Sequence, residues 1–196
     1  MMQRTLFLIG AMLFALVTQA ADLNQVVAEK SQLSFVFKEM NVPVEGRFKK
    51  FDAQVSLDPA KPESGKARIE VDLASVDAGS SDANDAVKDK PWFNTPAFPK
   101  ALFVASSIKS LGGGRYEARG PLTIKGVGRD TTATFTIRSD AAGSWIEGGF
   151  ILPRLQFKIG EGEWSDTDTV ADAVQVKFKL LLVTKSKVSN PQGESQ

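Results

Sequence analysis

The feature that most constrains the fold of this chain is an alternation of apolar and polar side chains that returns along most of its length. The pattern occupies residues 33–38, 51–57, 67–73, 132–138 and 174–182. A period of two places successive side chains on opposite faces of an extended backbone, so each segment predicts a strand with one buried face. Strands of a parallel sheet would instead be continuously apolar, because helices cover both faces. The alternation therefore predicts an all-β fold of antiparallel strands.

Short connections rich in turn-forming residues separate these segments. They occupy residues 58–65, 112–114 and 141–143, and the second of them is a run of three glycines. Connections of this length join neighbouring strands as hairpins. We count about eight to ten strands in all, a number and spacing that predict a barrel or a sandwich.

One stretch departs from the alternation and is predicted to be a short helix. Residues 81–90 begin with Ser81, which can cap a helix, and they carry acidic residues early and lysines late, as the helix dipole favours. Pro91 is expected to end this helix. Residues 92–99 then hold three aromatic side chains among prolines, which does not suit a strand. We expect residues 92–99, the lid segment, to pack across one end of the barrel.

The first twenty residues are predicted to be a signal peptide. Arg4 supplies a short positive region, residues 6–17 are apolar, and the sequence Thr-Gln-Ala at residues 18–20 is typical of a cleavage site. The apolar run is shorter than the ~20 residues of a membrane-spanning helix, although an anchor that is never cleaved is the alternative. We therefore expect export to the periplasm, with residues 1–20 removed.

Cleavage after residue 20 also changes the charge balance. The chain has 24 basic and 23 acidic residues, and Arg4 is the one charged residue lost, which leaves 23 of each. Proteins that bind nucleic acid usually have a basic excess, so we expect no nucleic-acid partner. The remaining residues are expected to form one domain over 21–185 and a flexible polar tail over 186–196.

The absence of cysteine and histidine from the sequence excludes several chemistries. A Ser-His-Asp triad, a thiolate nucleophile, a zinc–thiolate site and an imidazole-bound metal are all impossible. Asp166 and Asp168 resemble part of a calcium loop, but no bidentate glutamate follows at the required position. We therefore expect no enzymatic activity, no covalent cofactor and no metal site. An enzyme that acts on a lipid or glycan through the carboxylates of residues 161–172 remains the alternative.

Aromatic side chains are the most conspicuous apolar residues after cleavage, with 11 Phe, 3 Trp and 1 Tyr. Two interpretations of this set are open. The rings could fill the barrel as an ordinary core, or they could line an apolar cavity that holds one small ligand. In the first case the protein would be an interaction module of the cell envelope. In the second it would bind an apolar molecule.

Five segments, in order, also resemble a known family. They are residues 34–38 with 44–51, residues 71–79, residues 92–103, residues 120–129 and residues 155–164. The most specific is residues 120–129, which read Gly-Pro-Leu-Thr-Ile-Lys-Gly-Val-Gly-Arg. Together they resemble the YceI family of exported polyisoprenoid-binding proteins.

The resemblance implies a lipocalin-like antiparallel barrel of about eight strands around an elongated apolar tunnel. It also implies a long isoprenoid ligand, such as a polyprenyl phosphate or the tail of an isoprenoid quinone. Many family members have a histidine soon after the first strand and another before the lid segment. This chain has Lys-Glu-Met at residues 38–40 and Asn-Asp-Ala at residues 84–86, so no imidazole is available to contact a head group.

On this basis the chain is expected to carry, store or sequester an isoprenoid lipid. The expected partners are this lipid and, transiently, the inner membrane or a membrane redox protein, and the chain is expected to be a monomer or a homodimer. Arginines at three positions are candidates for the head-group end. The candidate ligand-binding residues are Phe35, Phe37, Phe48, Phe51, Trp92, Phe93, Phe98, Phe103, Phe135, Trp145, Phe150 and Phe157, with Arg47, Arg129 and Arg154 for the head group.

Overall fold

The computed structural model describes residues 23–184, and most of them lie in strands. A single α-helix occurs in this range, α1, at Ser81–Ala86. Short 3₁₀ turns lie at Ala28–Lys30, Pro62–Ser64, Leu73–Ser75, Arg154–Phe157 and Gly162–Ser165. The strands are β1 (Leu23–Val26), β2 (Gln32–Glu39), β3 (Val42–Phe48), β4 (Phe51–Ser56), β5 (Lys66–Asp72), β6 (Val76–Asp77), β7 (Lys100–Val104), β8 (Ser107–Gly112), β9 (Arg115–Ile124), β10 (Val127–Asp140), β11 (Gly143–Pro153) and β12 (Ala173–Thr184).

All twelve strands belong to one sheet, and the paired strands are antiparallel. Their order is β4-β5-β7-β9-β10-β11-β12-β2-β3-β6, with β1 beside β12 and β8 beside β9. β3 and β4 lie near opposite ends of this order, although only Lys49 and Lys50 separate them in the chain. The sheet must therefore curl back on itself. The Lys49 amide donates to the Ser75 carbonyl at 3.1 Å across this seam.

The curled antiparallel sheet has the lipocalin-like all-β architecture, which confirms the predicted fold class. Each alternating segment of the sequence lies on a strand, namely β2, β4, β5, β10 and β12. The sheet divides into more strands than the sequence suggests because β6 has two residues and β1 and β8 lie beside the main path. With two and four residues, β6 and β1 carry too few side chains to show a period of two.

The predicted helix is shorter than its sequence pattern. Ser80, one residue before the expected cap, has an extended backbone, and its hydroxyl accepts from the Ala83 amide at 3.2 Å. Helical structure ends at Ala86, and hydrogen-bonded turns follow, such as Phe93 N–H to the Val87 carbonyl at 3.0 Å. These turns use the backbone groups that a longer helix would need. The predicted cap at Ser81 was therefore wrong by one residue. The predicted end at Pro91 was wrong by four to five residues, because the helix already ends at Ala86.

The two ends of the curled sheet differ in how they are closed. The end we call the lid end carries the β2–β3 turn, the β9–β10 turn, α1 and the lid segment. The opposite end, the far end, carries the loops of residues 58–65, 112–114 and 141–143. Each end has its own cluster of buried apolar residues. Phe51, Ile69 and Phe103 pack against both clusters and connect them.

The predicted signal peptide and the predicted tail lie outside the described residues. They therefore stay predictions, as does the domain boundary at residue 185. Within residues 23–184, no helix is both long and apolar enough to pass through a lipid bilayer.

Candidate ligand cavity

A cavity of about 370 Å³ runs between the two core clusters. The inward-facing residues of β12 form one wall, in the row Val174, Val176, Phe178 and Leu180. Six residues of strand at about 3.3 Å each make this row roughly 20 Å long. The cavity is therefore elongated along the strands.

The lining of the cavity is almost wholly apolar. Glu39, Thr131 and Arg154 are the only lining residues of the described chain with a charged group or a hydroxyl. No buried side-chain nitrogen or oxygen atom within residues 23–184 lacks a hydrogen-bond partner. Apart from Glu39 at its exposed edge, the cavity would thus present a ligand with hydrocarbon and aromatic rings rather than free polar groups.

A glycine on β3 makes room for one of the aromatic walls. Gly46 is paired with Phe35 of the neighbouring strand β2, and a Cβ atom at residue 46 would overlap the Phe35 ring. The ring therefore lies flat across β3 instead of standing upright. From there a chain of ring contacts leads to the lid, with centroid distances of 5.4 Å from Phe35 to Phe48 and 6.0 Å from Phe48 to Phe93.

The lid segment closes the cavity together with the loop that follows β11. Trp92 and Phe93 of the lid line the cavity, and the Trp92 ring lies 5.5 Å from that of Trp164. The amides of Gly160 and Glu161 both donate to the Pro91 carbonyl at 2.9 Å. Lid and loop are thereby joined through their backbones as well as their rings.

Arg154, at the start of that loop, is 1 % exposed and borders the cavity. Its guanidinium donates all five N–H groups to carbonyl oxygens, of Ala171 at 3.1 Å, Ile159 at 2.9 Å, Gly160 at 3.1 Å, Trp164 at 2.7 Å and Val170 at 2.5 Å. Burial lowers the pKa of this guanidinium, and the Asp172 carboxylate opposes that effect. Arg154 therefore organises the loop and has no donor left for a ligand.

Lys125 is a second buried cation at the lid end, and its role was missed from the sequence. It stands in the two-residue β9–β10 turn with a φ of 50°. Its ammonium donates to the Lys90 carbonyl at 2.9 Å, the Lys158 carbonyl at 2.6 Å and the Glu161 carboxylate at 2.8 Å. The hydrogen bond from Lys125 to the Glu161 carboxylate is the main cause of the lowered pKa of Glu161. The Lys-Gly pair between two strands was the available sequence signal, because it is typical of a tight hairpin turn.

The mouth of the cavity is at the lid end, between β2 and α1. Glu39 and Ala86 both line the cavity and are exposed to solvent, so the cavity reaches the surface beside them. The adjoining β2–β3 turn presents Met40 and Val42, which are 71 % and 61 % exposed. Sequence reasoning did not select Glu39, because an acidic residue at the end of a strand is usually only a solvated charge.

The structure brings most of the predicted aromatic residues to the cavity. Those that line it are Phe35, Phe37, Phe48, Phe51, Trp92, Phe93, Phe103, Phe135 and Phe150. Three others lie elsewhere. Phe98 packs on Gly126, and Phe157 is 1 % exposed in the lid-end core. Trp145 points outward because its neighbours Ser144 and Ile146 are buried, and its indole donates to Asp140 at 2.8 Å.

The other two candidate arginines also lie outside the cavity. Arg47 is an exposed residue on the outer face of β3, with its Nε 3.5 Å from the Asp77 carboxylate. Arg129 is exposed on β10, and its guanidinium donates to the Gly128 carbonyl at 3.3 Å. For Arg47 this follows from strand alternation, since its neighbours Gly46 and Phe48 face inward. Arg129 is in register with the lining residues Thr131 and Ala133, but it lies nearer the end of β10, where the strand is exposed. Neither arginine is among the residues that line the cavity.

The acidic loop of residues 161–172 has structural contacts rather than the layout of a reactive site. Glu161 binds Lys125, and Asp166 accepts from the Asp168 amide and the Thr169 hydroxyl, both at 3.0 Å. These bonds lower the pKa of Asp166, with the Asp168 amide as the main cause. Glu161, Glu163 and Asp166 are all exposed. Within the described residues, no group of carboxylates is arranged to hold a metal ion.

Comparisons with known proteins agree with this geometry. The family model of the YceI-like domain matches residues 25–182. A UPF0312 protein of Shewanella oneidensis is 33 % identical over 147 residues, which cover 72 % of this chain and 75 % of the relative. A UPF0312 protein of Pseudomonas savastanoi pv. phaseolicola is 30 % identical over 67 % of this chain and 70 % of its own.

Two solved structures are also similar. The crystal structure of Burkholderia cenocepacia BcnA matches with a TM-score of 0.77 and 46 % identity, over 80 % of this chain and 98 % of that one. A polyisoprenoid-binding domain from Saccharophagus degradans matches with a TM-score of 0.64 over 85 % of this chain and 99 % of that one. At 16 % identity the second likeness shows the fold alone.

Proposed function

This chain belongs to the YceI-like family, and we propose that it is an exported, non-enzymatic protein that carries or stores an isoprenoid lipid in the cavity between its two core clusters. The match of the family model to residues 25–182 confirms the family resemblance noted in the sequence. The observation that carries the proposal is the elongated apolar lining, in which every buried side-chain polar atom of the described residues has a hydrogen-bond partner.

The energetics of such a cavity favour a hydrocarbon chain. Each CH₂ group that leaves water contributes about 0.8 kcal/mol to binding. Because no buried side-chain polar atom within residues 23–184 lacks a hydrogen-bond partner, this gain is not offset by lost hydrogen bonds in the interior of the cavity. A chain of several isoprene units fits a row of lining residues roughly 20 Å long.

The size of the cavity favours this role over that of an interaction module with a filled barrel. Ligand cavities usually begin at ~300 Å³, and this one measures about 370 Å³. Aromatic residues here surround a space instead of filling it. The Phe35 ring, folded across Gly46, is the clearest example.

We also propose that the lipid enters and leaves at a membrane surface. The exposed Met40 and Val42 flank the mouth, and apolar side chains at such a position can enter the headgroup region of a bilayer. The periplasmic location rests on the predicted signal peptide. A membrane redox protein is a further partner that an isoprenoid quinone as ligand would imply.

The proposal is tested by extracting lipid from the purified protein and by titrating it with an isoprenoid quinone. We expect a prenyl lipid to co-purify in native mass spectrometry and the quinone to quench tryptophan fluorescence. Trp92 lines the cavity and Trp145 does not. Replacing Trp92 with Phe should therefore remove more of the quenching than Trp145→Phe. If no prenyl lipid co-purifies and the quinone leaves the fluorescence unchanged, the carrier role is wrong.

A further inference from the structure

Glu39, an acidic residue with no salt bridge to the described part of the chain, stands at the mouth of the cavity. Glu39 follows Phe37 in the inward row of β2, and it both lines the cavity and is exposed to solvent. None of the salt bridges found within residues 23–184 involves it. On the other side of the mouth, α1 contributes Ala83 and Ala86 to the lining. This helix carries two aspartates, of which Asp85 pairs with Lys88 at 3.1 Å just beyond the end of the helix.

The two buried cations at the lid end have no donor left for a charged head group. Among the described residues, Arg154 is the only basic one in the lining, and its five N–H groups are all donated to backbone carbonyls. Lys125 donates to Lys90, Lys158 and Glu161, and it does not line the cavity. A phosphate at the mouth would find no free donor from these two residues.

We propose, on the basis of the lipid-carrier function above, that Glu39 makes the cavity selective for isoprenoids with an uncharged head group. A neutral head, such as a quinone ring or an alcohol, can rest beside the carboxylate without electrostatic cost. A phosphate carries about −1.5 to −2 charges at neutral pH. A phosphate at the mouth would be repelled by the Glu39 carboxylate, because the two groups carry charge of the same sign. This proposal narrows the isoprenoid ligands of the chain to quinones and other neutral isoprenoids, and it excludes polyprenyl phosphates.

The test compares two probes that share one hydrocarbon chain, geranylgeraniol and geranylgeranyl phosphate. Binding to the full chain is followed by tryptophan fluorescence, at lipid concentrations below micelle formation. We expect the alcohol to bind about tenfold more tightly than the phosphate, with a smaller difference in high salt, because ions screen exposed charges.

Two variants assign this selectivity to one side chain. Glu39→Gln removes the carboxylate and should reduce the preference to about twofold, mainly by improving phosphate binding. Glu45→Gln is the matched control, because Glu45 is an exposed carboxylate that does not line the cavity, and it should keep the full preference.

The outcomes separate this inference from the function on which it rests. If the wild-type chain binds both probes equally, or prefers the phosphate, the selectivity is overturned while the carrier role stands. An unchanged preference in Glu39→Gln would also overturn the role of Glu39. If neither probe binds, the proposed function itself is wrong, and the inference is wrong with it.

Discussion

Gly46 faces Phe35 across the β2–β3 pair, and the Phe35 ring occupies the space that a side chain at residue 46 would need. This arrangement lays an aromatic ring along the cavity wall. It also places Phe35 5.4 Å from Phe48, and so connects β2 to the lid through Phe48 and Phe93.

The first prediction concerns this pair. Gly46→Ala would press a methyl group against the Phe35 ring and the Asp77 carbonyl, which lies 2.8 Å from the Cβ position. We expect a loss of about 1–3 kcal/mol in the free energy of unfolding, as for other overpacked cores. Urea denaturation measures it. The Gly46→Ala, Phe35→Leu double variant should recover part of the loss.

Gly128→Ala is the control for this prediction. Gly128 also lies on a strand, but the nearest atom to its Cβ position is the Thr123 hydroxyl oxygen at 3.6 Å, which is ordinary contact. We expect a change within about 0.5 kcal/mol. Equal effects of the two alanines would mean that Phe35 is not held by Gly46.

The second prediction concerns Arg154. Arg154→Met keeps much of the side-chain volume but leaves five carbonyl groups without their donor. We expect a loss of about 3–5 kcal/mol, because buried polar groups without partners are costly. Thermal and urea unfolding measure the loss. The exposed Arg129→Met should change stability by less than about 0.5 kcal/mol, and a similar small effect at Arg154 would refute its structural role.

The third prediction concerns the pH dependence of the Lys125–Glu161 pair. The pKa of Glu161 is lowered in the folded protein, chiefly by the hydrogen bond from Lys125. A lowered pKa means that the stabilisation is present above the unfolded value, here 4.5, and is lost as the pH falls through the folded value. Unfolding free energies measured from pH 7 to pH 3 should therefore decline less steeply in Glu161→Gln than in the wild type.

Glu163→Gln is the control for the pH series. Glu163 lies two residues away in the same exposed loop. Its replacement should leave the shape of the pH profile unchanged. If both variants follow the wild-type profile, the ion pair with Lys125 does not contribute to acid stability.

The fourth prediction concerns exchange of the ligand with membranes. Met40→Ser combined with Val42→Ser makes the tip of the β2–β3 turn polar, and we expect transfer of an isoprenoid quinone to phospholipid vesicles to become roughly fivefold slower, because less apolar surface enters the bilayer. Stopped-flow fluorescence measures this rate. Equilibrium affinity should stay the same, since neither residue lines the cavity.

Leu111→Ser is the matched control for membrane transfer. Leu111 is 41 % exposed and lies beside the glycine turn at the far end. Its replacement should not change the transfer rate. A wild-type rate in the Met40, Val42 double variant would show that the lipid is not exchanged through this turn.

The strands were predictable because their signal is local. In residues 174–182 the apolar side chains recur at every second position, and β12 has that face inward. The same rule placed most of the aromatic residues correctly with respect to the cavity. It did not show that Phe150 faces the cavity while Trp145 faces outward, because β11 contains a glycine pair and has aromatic residues on both of its faces.

The sequence by itself determined the all-β class, the antiparallel pairing and the family, since these depend on alternation, turn residues and short motifs. Only the tertiary structure decided what the charged residues do. Arg154 meets carbonyls from residues 159–171, and Lys125 meets Lys90 and Lys158, more than thirty positions away on each side. A side chain's partners across such distances depend on how loops meet at one end of the sheet. The same meeting of loops left both buried cations with backbone partners. The curl of the sheet brought the last inward residue of β2, Glu39, to the mouth of the cavity.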